Sequence, residues 1–263
     1  MEGLEQLERA PEAPLSQKLD GIEPSDVGKE AVEPESKVFE SPEGCCLEPD
    51  LRTDVPGCDE ALVTGEPFEV ARMMDFKQGD NPFNAAGNCG LVSICNTLRR
   101  AGFDVTEDDV TKRAIDSGLC RYDPNGPASE NGGTTLEMRR GVLALYGIDS
   151  EVCPSAGSGS LERIAEAIDG GHGVVISVCA DLLWDKDLGG VGLFGPVSNH
   201  CVAVTGIARD AKTGEIAGVY IADSGRGLES DACRYLSVEE FHEVYTNVIG
   251  AGANITVEPL MGR

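Results

Sequence analysis

Three side chains far apart in the sequence are placed to do chemistry together: Cys89, His200 and Asp223. Cys89 lies where a predicted helix over residues 90–101 (GLVSICNTLRRA) begins, after the loop FNAAGN and before Gly90. A thiol there feels the positive end of the helix dipole and unpaired backbone N–H groups, which favour the thiolate. Ala86, Gly87 and Gly90 leave room for a substrate backbone. A buried cysteine that merely packs would suit the same position. His200 opens an apolar strand, NHCVAVTG, where an imidazole has no packing reason to be. In the hairpin that follows, a turn centred between Ala211 and Lys212 sets Asp223 opposite His200, Ile221 opposite Val202 and Val219 opposite Val204. Opposed side chains in a strand pair have Cβ atoms about 4.5–5.5 Å apart, so Asp223 can accept a hydrogen bond from His200. A carboxylate that orients an imidazole and locks its tautomer is the arrangement of a catalytic triad.

The elements that must hold these groups follow from periodicity. Leu91, Ile94, Cys95 and Leu98 share one face of the helix that ends at Gly102. Thr106 with Asp109 opens a second helix, reaching about Ser117. Thr134 or Thr135 caps LEMRRGVLALY, and SGSLERIAEAIDGG is a further short helix. The pattern then turns to strands: GVVISVCA, HCVAVTGIA and GVYIAD, with DAKTGE as the turn. Ser237 and Glu240 form a capping box before SVEEFHEVY, and ANITVEP is a last strand. Helices followed by an antiparallel sheet give an α+β domain over residues 63–263.

Residues 1–62 differ in character. The first 60 hold 17 acidic and 5 basic side chains, 7 of the 14 prolines and a single aromatic, Phe39. Such composition offers little apolar surface to offset ordering entropy, so an acidic disordered arm is expected. The whole chain of 263 residues carries a formal charge of −25, which argues against nucleic-acid or anionic-membrane partners. No apolar run is long enough to span a membrane, and the start MEGLEQLERAPEAP lacks the basic and apolar regions of a secretory signal. The ten cysteines include no CxxC pair and no zinc-finger spacing, so neither metal nor cofactor is expected. Those in apolar stretches, including Cys95, Cys179 and Cys201, read as buried hydrophobes in a reducing compartment, with Cys201 turned to the core. The expected location is the cytoplasm, or another cell into which the chain is delivered.

Secondary candidates are weaker. His172 and His242 read as a loop residue and a solvent-facing helix residue, and Asn199 has poor geometry for fixing its neighbour His200. Trp184, on an acidic Gly-rich segment between strands, reads as a lid, a subsite wall or a cover for the core. The paired glycines lack the strand–GxGxxG–helix context of a phosphate loop.

A helix-opening N-C-G, a later N-H-C-V-A-V-T-G strand and then I-A-D-S-G resemble the papain-like cysteine peptidase superfamily over residues 75–250. The similarity is greatest to bacteriocin-processing (double-glycine leader) peptidases and to papain-fold domains of bacterial toxins and effectors. It implies a thiol hydrolase with Cys89 as nucleophile, His200 as general base and acid, and Asp223 orienting it. Protein or peptide substrates are implied, as is an inhibitor, immunity-type or chaperone partner. Two rivals share the scaffold: a glutamine deamidase or transglutaminase, and an inactive interaction module. Such enzymes usually carry a glutamine about six residues before the cysteine to stabilise the oxyanion. Here Gln78, whose loop would have to fold back, ranks above the shorter Asn84.

Overall fold

A computed structural model describes residues 51–155 and 160–260. A hairpin of β1 (Leu51–Val55) and β2 (Cys58–Gly65) leads into a short α1 (Pro67–Val70). Three helices follow: α2 (Cys89–Arg100), α3 (Glu107–Asp116) and α4 (Leu136–Ala144). Beyond them come β3 (Ser150–Pro154), α5 (Ser160–Asp169), β4 (Val174–Val178) and α6 (Ala180–Trp184). A small ribbon of β5 (Val191–Gly192) and β6 (Gly195–Pro196) precedes the long β7 (His200–Asp210) and β8 (Ile216–Ala222). The chain closes with β9 (Arg234–Ser237), α7 (Val238–Phe241) and β10 (Gly252–Thr256).

The helix boundaries follow the caps. Thr106 and Asp109 close a reciprocal capping box on α3, as do Ser237 and Glu240 on α7, and the Thr135 hydroxyl accepts the Met138 N–H on α4. Leu91, Ile94, Cys95 and Leu98 form the fully buried stripe of α2.

All pairing in the main sheet is antiparallel, in the order β1-β2-β7-β4-β10-β3, with β8 and β9 added on the other edge of β7. Strand β7 therefore pairs three ways: its first half with β4, its second half with β2, and its opposite edge with β8. Both faces are covered. Leu91, Ile94, Leu98, Val110, Val142 and Val175 pack on the α2–α4 side. Ile164 and Ile168 of α5 pack with Ile176, Val202, Val204 and Phe241 on the other. This is why β4 and β7 are apolar at nearly every position.

The hairpin register differs from the expected one by two residues: Val204 faces Ile221, and Ala203 faces Ala222. Asp210 N–H bonds Glu215 O, so the turn occupies 211–214 and its centre lies one residue later than expected. Each strand also carries one extra residue, Ala217 in β8 and Thr205 in β7, and the two bulges cancel. An even shift leaves every side chain on its expected face.

A second correction concerns the acidic arm. Residues 51–62, assigned to it by composition, form β1 and most of β2, and β2 completes the sheet against residues 206–210. The sheet thus begins upstream of residue 63, and residues 1–50 lie outside the described residues. Ala61 and Val63 are buried there, with Ala208 and Tyr220 in the same cluster. A chain beginning at residue 66 is expected to be about 3 kcal/mol or more less stable than one beginning at residue 51, because it re-exposes this apolar surface. Urea denaturation of the two chains measures it, and equal midpoints would refute the assignment of β2 to the fold.

Candidate active site

Cys89 is the first residue of α2 and is half-buried. The preceding Asn88 does not cap the helix with its side chain. It turns inward, fully buried, to donate to Glu107 Oε1 (2.7 Å) and Thr111 Oγ1 (3.1 Å). Gly132, at φ +90°, packs flush on Asn88: a Cβ there would lie 2.5 Å from the Asn88 Cβ. The backbone leading to the thiol is thereby clamped between α3 and the 131–132 turn.

His200 and Asp223 meet as the sequence implies, though diagonally, because the register is displaced. The His200 Nε2–H donates to Asp223 Oδ1 at 2.7 Å, with both side chains buried. That partner puts the proton on Nε2 and leaves Nδ1 its lone pair. Trp184, at the end of α6, donates its Nε1–H to Asp223 Oδ2 (2.7 Å), and its ring centroid lies 4.8 Å from that of His200. Gly225 donates its backbone N–H to Asp223 Oδ1 (2.8 Å); a Cβ at that position would run into the Trp184 ring. Burial opposes ionisation of Asp223, but the His200 hydrogen bond and charge, with the Gly225 and Trp184 donors, outweigh it and hold the carboxyl below its ordinary range.

Around the thiol the structure departs from expectation. Cys201 does not face apolar core. Its sulfur accepts from Arg139 Nη1 (2.9 Å) and approaches Ser177 Oγ (4.0 Å). Arg139, also fully buried, donates further to Asn254 Oδ1 (2.9 Å) and Ser177 Oγ (2.7 Å). Cys89 hydrogen-bonds to this same Cys201, through both its thiol and its backbone N–H. The Cys89 hydrogen bond, the Arg139 guanidinium and the nearby His200 draw the Cys201 thiol down to about 5, against the cost of burial. The Cys201 contact and burial push the Cys89 thiol well above its usual value. The helix-dipole argument for a Cys89 thiolate is thus overridden by a negatively charged neighbour.

Strand alternation sorts the groups. His200 faces Trp184 and Asp223, Cys201 faces α2 and α4, and Cys89 adjoins the peptide between them. Gln78 is also brought in. Its amide donates to Ala86 O (2.9 Å), its Oε1 accepts from Ser224 Oγ (3.3 Å), and its backbone N–H bonds Ser224 O (3.0 Å). The loop before Cys89 therefore does fold back. Asn84 is exposed, with a left-handed backbone (φ 55°), and its amide reaches Gly126 O (3.4 Å) on an outer loop. His172 bonds Thr256 O, and His242 bonds Thr246; Asn199 bonds Asp181, and none of the three contacts Asp223. Sequence reasoning missed Arg139 and the Trp184 hydrogen bond. A basic residue three positions after Leu136 and three before Val142, inside an apolar stripe, was the signal for the first. Among the described residues no group of three or more His, Cys, Asp or Glu is arranged to hold a metal, and no helix is long and apolar enough to cross a membrane.

A cysteine at a helix start, facing a sheet that carries a paired histidine and aspartate, in an α+β fold, defines a papain-like cysteine peptidase. More narrowly, the chain belongs to the peptidase C39-like family, whose profile matches residues 73–252. Among solved structures it is similar to a C39-like peptidase from Bacillus anthracis, at 19% identity and a TM-score of 0.45, over 70% of this chain and 94% of that one. No curated protein matches the sequence.

Two expected outcomes follow from these contacts. The ionised Asp223 stabilises the fold above the usual carboxylate range and loses that effect as acid protonates it. Trp184→Phe removes a donor to a buried charge and is expected to cost about 1.5–3 kcal/mol and move acid unfolding to higher pH, as followed by circular dichroism. An unchanged acid midpoint would show that the Trp184 bond contributes nothing. Thiolate ultraviolet absorbance is expected to titrate at about 5 in the wild type and to lose that step in Cys201→Ser. A first thiolate appearing only near pH 8.5, the ordinary cysteine value, would contradict the Arg139–Cys201 assignment.

Proposed function

We propose that this chain is a thiol hydrolase that cleaves a peptide or isopeptide bond. Cys89 attacks the carbonyl while the free Nδ1 of His200 takes its proton. The imidazolium then protonates the leaving amine, and water, activated by the same ring, hydrolyses the thioester. Asp223 holds the ring and stabilises its charged form. The second N–H of the Gln78 amide and the Cys89 backbone N–H donate to the oxyanion. The observation that carries this reading is the buried 2.7 Å His200–Asp223 bond, formed one peptide away from the amide that reaches Cys89.

Because the Cys89 thiol is held protonated at rest, the reading requires base-assisted attack rather than a preformed thiolate–imidazolium pair. The −25 charge suits a basic protein as substrate, or a basic inhibitor or immunity-type partner if the chain acts as a delivered effector.

Hydrolysis is read as new amino termini in a proteome-derived peptide library. Cys89→Ala is expected to abolish it, and His200→Ala to lower it roughly 10²–10⁴-fold. Gln78→Ala should cost about 10²–10³-fold, while Asn84→Ala stays near wild type. New termini produced equally well by Cys89→Ala would overturn the proposal. Ammonia release without chain cleavage would move the chemistry to glutamine side chains.

A further inference from the structure

Cys89 and Cys201 come from different elements, the N-terminus of α2 and the second residue of β7, yet they are free thiols hydrogen-bonded to each other. Both are held by packing rather than by mobile loops. Cys201 is pinned from the side by Arg139 and Ser177, and Arg139 is itself fixed by Asn254. Gly90, next to Cys89, lies against the same arginine: a Cβ there would sit 3.2 Å from Arg139 Cδ. A cleft of about 420 Å³ opens beside the pair, with Arg139, Ser177 and Thr134 in its wall.

We propose that Cys89 and Cys201 form a reversible disulfide on exposure to a peroxide, making the pair a redox-modification site. The two sulfurs hold one proton between them above pH 5. Cys201 takes the proton of Cys89, whose thiolate attacks one peroxide oxygen, breaks the O–O bond and becomes a sulfenic acid. The hydroxide released removes the proton from Cys201 and leaves as water. The Cys201 thiolate then attacks the sulfenic sulfur, the S–S bond forms, and hydroxide departs. Two sulfurs have lost two electrons in all, and the peroxide has been reduced to water and hydroxide. The Arg139 guanidinium keeps Cys201 in the thiolate form that the second step needs. A dithiol reverses the reaction by exchange. Without Cys201, the sulfenic acid has no thiol beside it, and further peroxide drives it to the irreversible sulfinic acid. This site depends only on the sulfur contact and holds whether or not Cys89 is a hydrolytic nucleophile.

The test treats the full chain with hydrogen peroxide and maps it by mass spectrometry without reduction. The wild type is expected to yield a peptide joining Cys89 to Cys201, converted back to two free thiols by dithiothreitol. Cys201→Ser and, as a second variant in case the first fails to fold, Cys201→Ala are expected to show no such link and to accumulate sulfinic acid at Cys89 that dithiothreitol does not reverse. Wild-type protein that keeps both thiols free, or that forms sulfinic acid at Cys89 without any linked peptide, overturns the proposal. A linked peptide in a protein that hydrolyses nothing would retain the redox site and remove the hydrolase, so the two failures are distinguishable.

Discussion

The start of β7 is the constraint on which the rest of this molecule depends. A strand sends successive side chains to opposite faces, so His200 and Cys201 cannot share an environment. His200 goes to the side of Trp184 and Asp223, and Cys201 to the side of α2 and Arg139. The peptide between them is the one backbone unit that both faces touch, and Cys89 reaches it from the end of α2. Everything else serves to hold that strand still. It is paired by β4 and β2 along one edge and by β8 along the other, and it is covered by helices on both faces.

Charge follows from the same division. On one face a buried carboxylate accepts three donors, from His200, Trp184 and Gly225, and stays ionised despite burial. On the other, a buried guanidinium donates to a sulfur, a hydroxyl and an amide oxygen, and the thiol it touches becomes acidic. A buried ion survives only when such partners surround it. The nucleophile lies between an imidazole that can accept its proton and a thiolate that discourages its ionisation. Its reactivity is therefore set by two neighbours in opposite senses.

Much of this was legible in the sequence, for identifiable reasons. The caps at Thr106, Thr135 and Ser237 are local signals and landed where the helices begin. The His200–Asp223 pairing came through although the register was two residues out, because an even error preserves the face. The bulges at Thr205 and Ala217 leave no compositional trace, so the register itself was not readable. Strands β1 and β2 were hidden because their acidic, Pro-containing residues resemble the segment before them; their pairing with β7 is non-local. Cys201 was misjudged for a related reason. Alternation correctly turned it away from His200, but nothing near it in sequence announces that Arg139, from another helix, lies on that side.

The central claim is that Cys89 reacts through His200. The most direct measurement is the alkylation rate of each cysteine at neutral pH, located by peptide mapping, in the wild type and in His200→Ala. Cys89 should outpace the similarly half-buried Cys233 in the wild type and slow by roughly 10²-fold or more without the imidazole. If Cys89 reacts no faster than Cys233, or at the same rate in both proteins, His200 does not activate it and the account fails.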